Sequence, residues 1–135
     1  MTTLGTQYRG TQKFLLVYSA LIQAARERRL IYYIEVANMI GVPTSGHHMA
    51  RQVGQVLGEI SEDENQAGRP MLSALAVAES GYPGDGFFVL ARRLGRLSES
   101  DTSAEMTFLS KEQRAVYQSW PALKPELTVT GIASY

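Results

Sequence analysis

The sequence predicts one domain of α+β class, helix-rich: a winged helix-turn-helix with a small β element and an added C-terminal helix. Two short helical patterns meet around Gly41 between residues 31 and 57, and they supply the helix-turn-helix. An apolar run over 71–78 precedes a stretch dense in turn formers over 79–86, which gives a strand and then a hairpin or tight wing. The 135 residues lie within the size of one domain, and 44% hydrophobic against 19% charged residues is an ordinary globular balance.

Residues 1–10 form a polar start with no period, and the domain proper is expected over 11–120. From Thr11 onward Phe14, Leu15, Val17, Tyr18, Leu21, Ile22 and Ala25 recur at helical spacing, so a first amphipathic helix runs to about Arg28. Leu30-Ile31-Tyr32 is β-prone. Helical pattern resumes over 33–40 with Val36, Ala37 and Ile40 inward, and Gly41 stops it while Pro43 prevents its continuation. Thr44 or Ser45 caps the next helix, which carries Met49, Val53, Val56, Leu57 and Ile60 on one face. His47, His48, Arg51, Gln52 and Gln55 occupy the other.

Residues 61–69 are polar and acidic, end in Ala67-Gly68, and read as a loop. The pattern over 87–97 is helical, with Phe87, Leu90, Ala91, Leu94 and Leu97 inward and Arg92, Arg93 and Arg96 outward. An acidic linker over 98–107 leads to a last helix over 110–120, for which Ser110 and Gln113 make a capping-box pattern. Pro121 and Pro125 begin a tail that runs to residue 135.

The absence of cysteine excludes disulfides, thiolate metal sites and cysteine nucleophiles together. The first ten residues lack a signal-peptide pattern and no apolar run reaches about 18 residues, so the cytoplasm is the expected location. His47 and His48 are neighbours on a helix with no further histidine or cysteine to complete a metal shell. The glycines over 81–86 follow no phosphate-loop spacing, and Glu62, Asp63 and Glu64 read as a solvated run. No catalytic residue, cofactor or metal is expected.

Thirteen basic residues balance thirteen acidic ones, which argues against a strong nucleic-acid binder. The charge is nonetheless segregated. Residues 1–58 carry six basic side chains (Arg9, Lys13, Arg26, Arg28, Arg29, Arg51) against two acidic ones (Glu27, Glu35), a surplus of four. Glu59, Glu62, Asp63 and Glu64 then cancel it. Arginine supplies ten of the thirteen cations, a choice suited to planar contacts with phosphates, bases or carboxylates.

The run Ala50-Arg51-Gln52-Val53-Gly54, preceded by Tyr33, Glu35-Val36-Ala37 and Ile40-Gly41, resembles the DNA-binding half of the alkylguanine DNA alkyltransferases. The resemblance covers about residues 31–97. It implies that Arg51 fills the gap left by a rotated base while Tyr33 crowds the phosphate, a division of labour that offsets the few kcal/mol of unstacking. Where the family places proline, cysteine, histidine and arginine, this chain has Pro70, Met71, Leu72 and Ser73, so alkyl transfer is not expected. The family also includes alkyltransferase-like proteins that bind damaged DNA without repairing it. These keep the histidine that Leu72 replaces here.

The expected function is therefore non-enzymatic recognition of double-stranded DNA, as a sensor of altered bases or a small regulator. Tyr33, His47, His48, Arg51, Gln52, Gln55, Arg92 and Arg93 are its candidate contacts. The acidic loop is expected near the DNA face, where it opposes binding. The alternative is a protein-protein interaction module that uses the acidic loop or the arginine-bearing helix to hold a protein partner, because a fold carries no function by itself.

Overall fold

In the computed structural model the described residues are 5–98 and 100–122. Among them the chain forms five α-helices and a two-stranded parallel sheet, a helix-rich α+β arrangement. Helix α1 (Gln12–Arg26) starts where the Thr11 hydroxyl accepts the Phe14 N–H, and it buries Phe14, Val17, Leu21, Ala24 and Ala25 at helical spacing. Strand β1 (Ile31–Tyr32) leads without a break into α2 (Tyr33–Ile40), whose Glu35 carboxylate accepts the Tyr32 N–H at 2.7 Å. Helix α2 ends at Gly41 with φ +74°, a left-handed conformation that a side chain would strain.

Helix α3 (Gly46–Gln66) is longer than the sequence pattern predicts. The expected loop over 61–69 is mostly its last turns, and this is a correction with a physical reason. Glu59, Glu62 and Glu64 are buried, and each carboxylate has a partner inside the fold, so the acidic run is a helix face held against basic and amide groups. The apolar run over 71–78 is corrected too. Leu72–Leu75 is a 3-10 turn and only Ala76–Val77, strand β2, is extended.

Strand β2 pairs in parallel with β1, Ile31 opposite Ala76 and Tyr32 opposite Val77. The turn formers after it make no hairpin among the described residues. Backbone bonds from Ala78 to Tyr82 and from Gly81 to Ala78 curl the chain, which passes into α4 (Asp85–Arg93). Helix α5 (Thr102–Ser119) begins earlier than predicted, because Asp101 caps it by accepting the Ala104 N–H at 2.8 Å. Ser110 lies inside the helix, and Gln113 donates to the Ala74 carbonyl at 3.0 Å instead of closing a capping box. Most of the predicted acidic linker is thus helical. The predicted tail beyond residue 122 lies outside the described residues.

Two apolar clusters hold these elements. One joins α1, α2 and α3 around Val17, Leu21, Val36, Ile40, Val56 and Ile60, with Leu72 and Leu75 from the 3-10 turn. The other joins α4 and α5 around Phe87, Phe88, Leu90 and Leu109, with Met71. The 3-10 turn touches both, so it fixes α4 relative to α3. Among the described residues no helix is long and apolar enough to cross a membrane.

Candidate functional site

Helix α3 turns Val53, Val56 and Leu57 to the core, and α4 turns Phe87 and Leu90 the same way. Between the two helices lies a groove of about 530 Å³, within the size range of small-ligand sites. Its lining is largely apolar: Met49, Val53 and Leu57 from α3, Phe87, Val89 and Leu90 from α4. Gly54 and Gly58 are also on the lining from α3, and each helix adds one arginine to it, Arg51 from α3 and Arg93 from α4. Asp85 and Gln55 are the other charged or amide side chains on the lining. Tyr33 reaches it from α2, and its hydroxyl accepts the Gly84 N–H at 2.8 Å. Burial pushes the Tyr33 phenol above its ordinary value, against the opposing effect of the Gly84 hydrogen bond.

Gly54 stands out within this lining. It sits inside a 21-residue helix, where glycine costs roughly 1 kcal/mol relative to alanine, and a Cβ built there meets nothing within 4 Å. Neither φ nor a neighbouring side chain requires the missing Cβ. It lies on the groove lining, with open space beside it.

The candidate DNA contacts separate into groups. Tyr33, Arg51, Gln55 and Arg93 line the groove together, and among the described residues Arg51 and Arg93 have no ion-pair or hydrogen-bond partner. His47 and His48 are exposed in the first turn of α3, and no cluster of metal-binding side chains occurs among the described residues. Gln52 points elsewhere, accepting from the Tyr8 hydroxyl and, at 2.9 Å, from Gln7 Nε2. Gln55 also gives hydrogen bonds to the Gly5 carbonyl at 2.7 Å and to Glu59 at 2.8 Å. Arg92 turns toward α5, where Glu105 meets it at 2.7 Å, and Arg96 reaches Glu112, Asn65 and the Arg69 carbonyl.

Of the acidic run, Glu59 meets Gln55 among these groups, and all of its buried carboxylates are engaged inside the fold, so the run is not the solvated loop the sequence suggests. Glu59 is fully buried and accepts the N–H groups of Gln7, Tyr8 and Arg9 at 2.9–3.1 Å, so its carboxylate seats residues 7–9 against α3. Burial works to raise its pKa, but the hydrogen bonds from Gln55 and from those three amides outweigh it and hold the carboxyl below its ordinary value. Arg9 takes Glu62 at 2.7 Å and Asp63 at 2.9 Å. Glu64, also fully buried, accepts two bonds from Arg69 at 2.8 Å and one from the Tyr18 hydroxyl. Burial first, and the bond to Glu64 second, push the Tyr18 phenol well up.

Met71 and Leu72, at the positions where the resemblance would place a cysteine and a histidine, are fully buried. The Met71 N–H donates to Glu112 at 2.9 Å. Ser73 lines the groove, and its hydroxyl accepts from Ser61 at 2.7 Å. Sequence reasoning missed the groove itself. Its legible signal is a glycine inside a strong helical pattern, which marks close approach or open space. No family model, curated protein or solved structure matches the chain. What the fold and the site define is a helix-rich α+β domain with an apolar groove lined in part by two arginines that have no partner among the described residues.

Proposed function

We propose that the protein recognises double-stranded DNA without chemistry, reading it through the first half of α3 as the second helix of a helix-turn-helix. The chain is then a variant of the winged type in which the 78–84 connection stands where a wing would, and it is related in surface to the alkyltransferase-like proteins. One observation carries this reading. His47, His48 and Arg51 stand exposed at the N-terminal half of α3, while the acidic side chains of its other half are engaged inside the fold. Arg51 thus carries an exposed positive charge on this half of the helix although the net charge of the chain is zero. Arg51 has the length and planar donors to reach a base edge or a phosphate. Gln52, Gln55 and Arg92 act as internal ties in this reading, and Tyr33 fixes α2 against the segment before α4.

The test is a titration of wild type and Arg51→Ala against one duplex at low and moderate salt, with circular dichroism to confirm folding. Arg51→Ala is expected to weaken binding by about 1–3 kcal/mol, the range for one specific contact, and wild-type affinity should fall with salt as only a few phosphates are neutralised. Identical curves for the two proteins overturn the proposal. The apolar groove favours a second reading, a protein-interaction module, in which duplex is a poor ligand and Arg51→Ala is silent toward it.

A further inference from the structure

We propose that the groove between α3 and α4 is a binding site for a small organic anion with an apolar body, such as an aliphatic or aromatic carboxylate. Three independent features of the groove converge on this ligand. Its volume of about 530 Å³ suits a small molecule, and its walls are apolar side chains that gain by excluding water. Arg51 and Arg93 line the groove, one from each wall, both exposed and with no hydrogen-bond or ion-pair partner among the described residues, so both cations are available to a ligand there. Gly54 leaves open space over the backbone of α3 at a cost to the helix that no contact in the fold recovers.

The charges select the sign of the ligand. Asp85 is the one carboxylate on the lining against the two guanidiniums, so the lining carries a net charge of one positive. A carboxylate held by an arginine fork forms charge-assisted hydrogen bonds that a neutral alcohol of the same length does not. The apolar body then lies along Gly54 between Met49, Leu57 and Leu90. The inference does not depend on DNA binding, and its test contains no DNA.

The experiment is calorimetric titration of the full chain with decanoate, with 1-naphthoate, and with decanol as the neutral control, all below their aggregation range. Decanoate or naphthoate is expected to bind saturably at one site, with decanol at least about tenfold weaker. Gly54→Leu places a side chain in the open space and adds a good helix former, so it is expected to remain folded by circular dichroism and to lose binding. Arg51→Gln and Arg93→Gln, both at exposed positions, are each expected to lower carboxylate affinity several-fold and to leave decanol unchanged. No saturable binding of either carboxylate overturns the proposal, as does equal binding of decanol or full binding by a folded Gly54→Leu protein. Should Gly54→Leu fail to fold, the Arg51→Gln, Arg93→Gln double variant decides, and unchanged decanoate affinity overturns the site. Binding of an acidic helical peptide with both carboxylates silent also overturns it, in favour of protein docking.

Discussion

Glu59→Gln is the substitution whose consequence follows most directly from the geometry. One carboxylate oxygen accepts Tyr8 N–H at 3.1 Å and Arg9 N–H at 2.9 Å, and the other accepts Gln7 N–H at 3.0 Å, Tyr8 N–H at 3.1 Å and Gln55 Nε2 at 2.8 Å. Glutamine keeps the shape but turns one of these oxygens into a donor, so in either orientation an N–H group faces another N–H group. Hydrogen bonds to a charged group contribute roughly 1.5–3 kcal/mol each, and a buried orphan donor costs about 1–3 kcal/mol. Gln7 and Arg9 are only partly buried, which lets water recover part of the loss, so the net destabilisation is about 2–4 kcal/mol. Urea unfolding at neutral pH, followed by far-ultraviolet circular dichroism, measures it. The acid limb adds a second check. Because the folded-state pKa is depressed, the contribution of Glu59 is fully present above the ordinary carboxylate range and is lost as pH falls through the lowered folded value. Wild type and Glu59→Gln are therefore expected to converge in stability at acid pH. A loss below about 0.5 kcal/mol at neutral pH would refute the assignment of Glu59 as the seat of residues 7–9.

Arg69→Ala removes both guanidinium bonds to Glu64 and leaves a fully buried carboxylate with the Tyr18 hydroxyl. The expected loss is about 1–3 kcal/mol, less than for a wholly buried pair because the Arg69 side chain is 42% exposed, and thermal unfolding reads it. Gly41→Ala forces a side chain into φ +74° with ordinary space around it, so a destabilisation of about 1–2 kcal/mol by denaturant titration comes from the backbone alone. A double-mutant cycle on Arg92 and Glu105 is expected to return a coupling of about 0.2–1 kcal/mol, and the same cycle should leave duplex affinity unchanged because Arg92 faces α5.

The elements legible in the sequence are those that local chemistry specifies. Thr11 as cap, the periodicity from Phe14 to Ala25, and Gly41 as a left-handed stop each act within one turn of the residues they govern, and α1 and α2 follow the pattern closely. The second half of α3 is hidden because the residues 7–9 that hold Glu59 and Glu62 lie about fifty positions away. Nothing within a window around Glu59 or Glu62 announces Arg9 or the amides of residues 7–9. An acidic run ending in Ala67-Gly68 therefore looks solvated. The apolar run over 71–78 misleads for another reason: a segment buried on all sides carries no period that distinguishes a 3-10 turn from a strand. At the site, the exposure of Arg51 follows from its place on the polar face of α3. That Arg51 and Arg93 line one groove depends on how Phe87 and Leu90 seat α4, which no local pattern states.

The two-residue sheet has a consequence for the order in which the protein folds. Ile31 opposite Ala76 and Tyr32 opposite Val77 join positions 45 apart in the chain, and closing such a loop from an open ensemble costs about 3 kcal/mol of entropy. So few backbone bonds do not recover that cost alone. The loop contains α2 and α3, so packing of those helices must first shorten the search. The strand pair is then expected to form on the native side of the rate-limiting step, so that weakening it hastens unfolding while leaving the refolding rate almost unchanged, which stopped-flow kinetics checks. A pair of strands only two residues long would thereby act as a kinetic latch on the segment that carries α2 and α3.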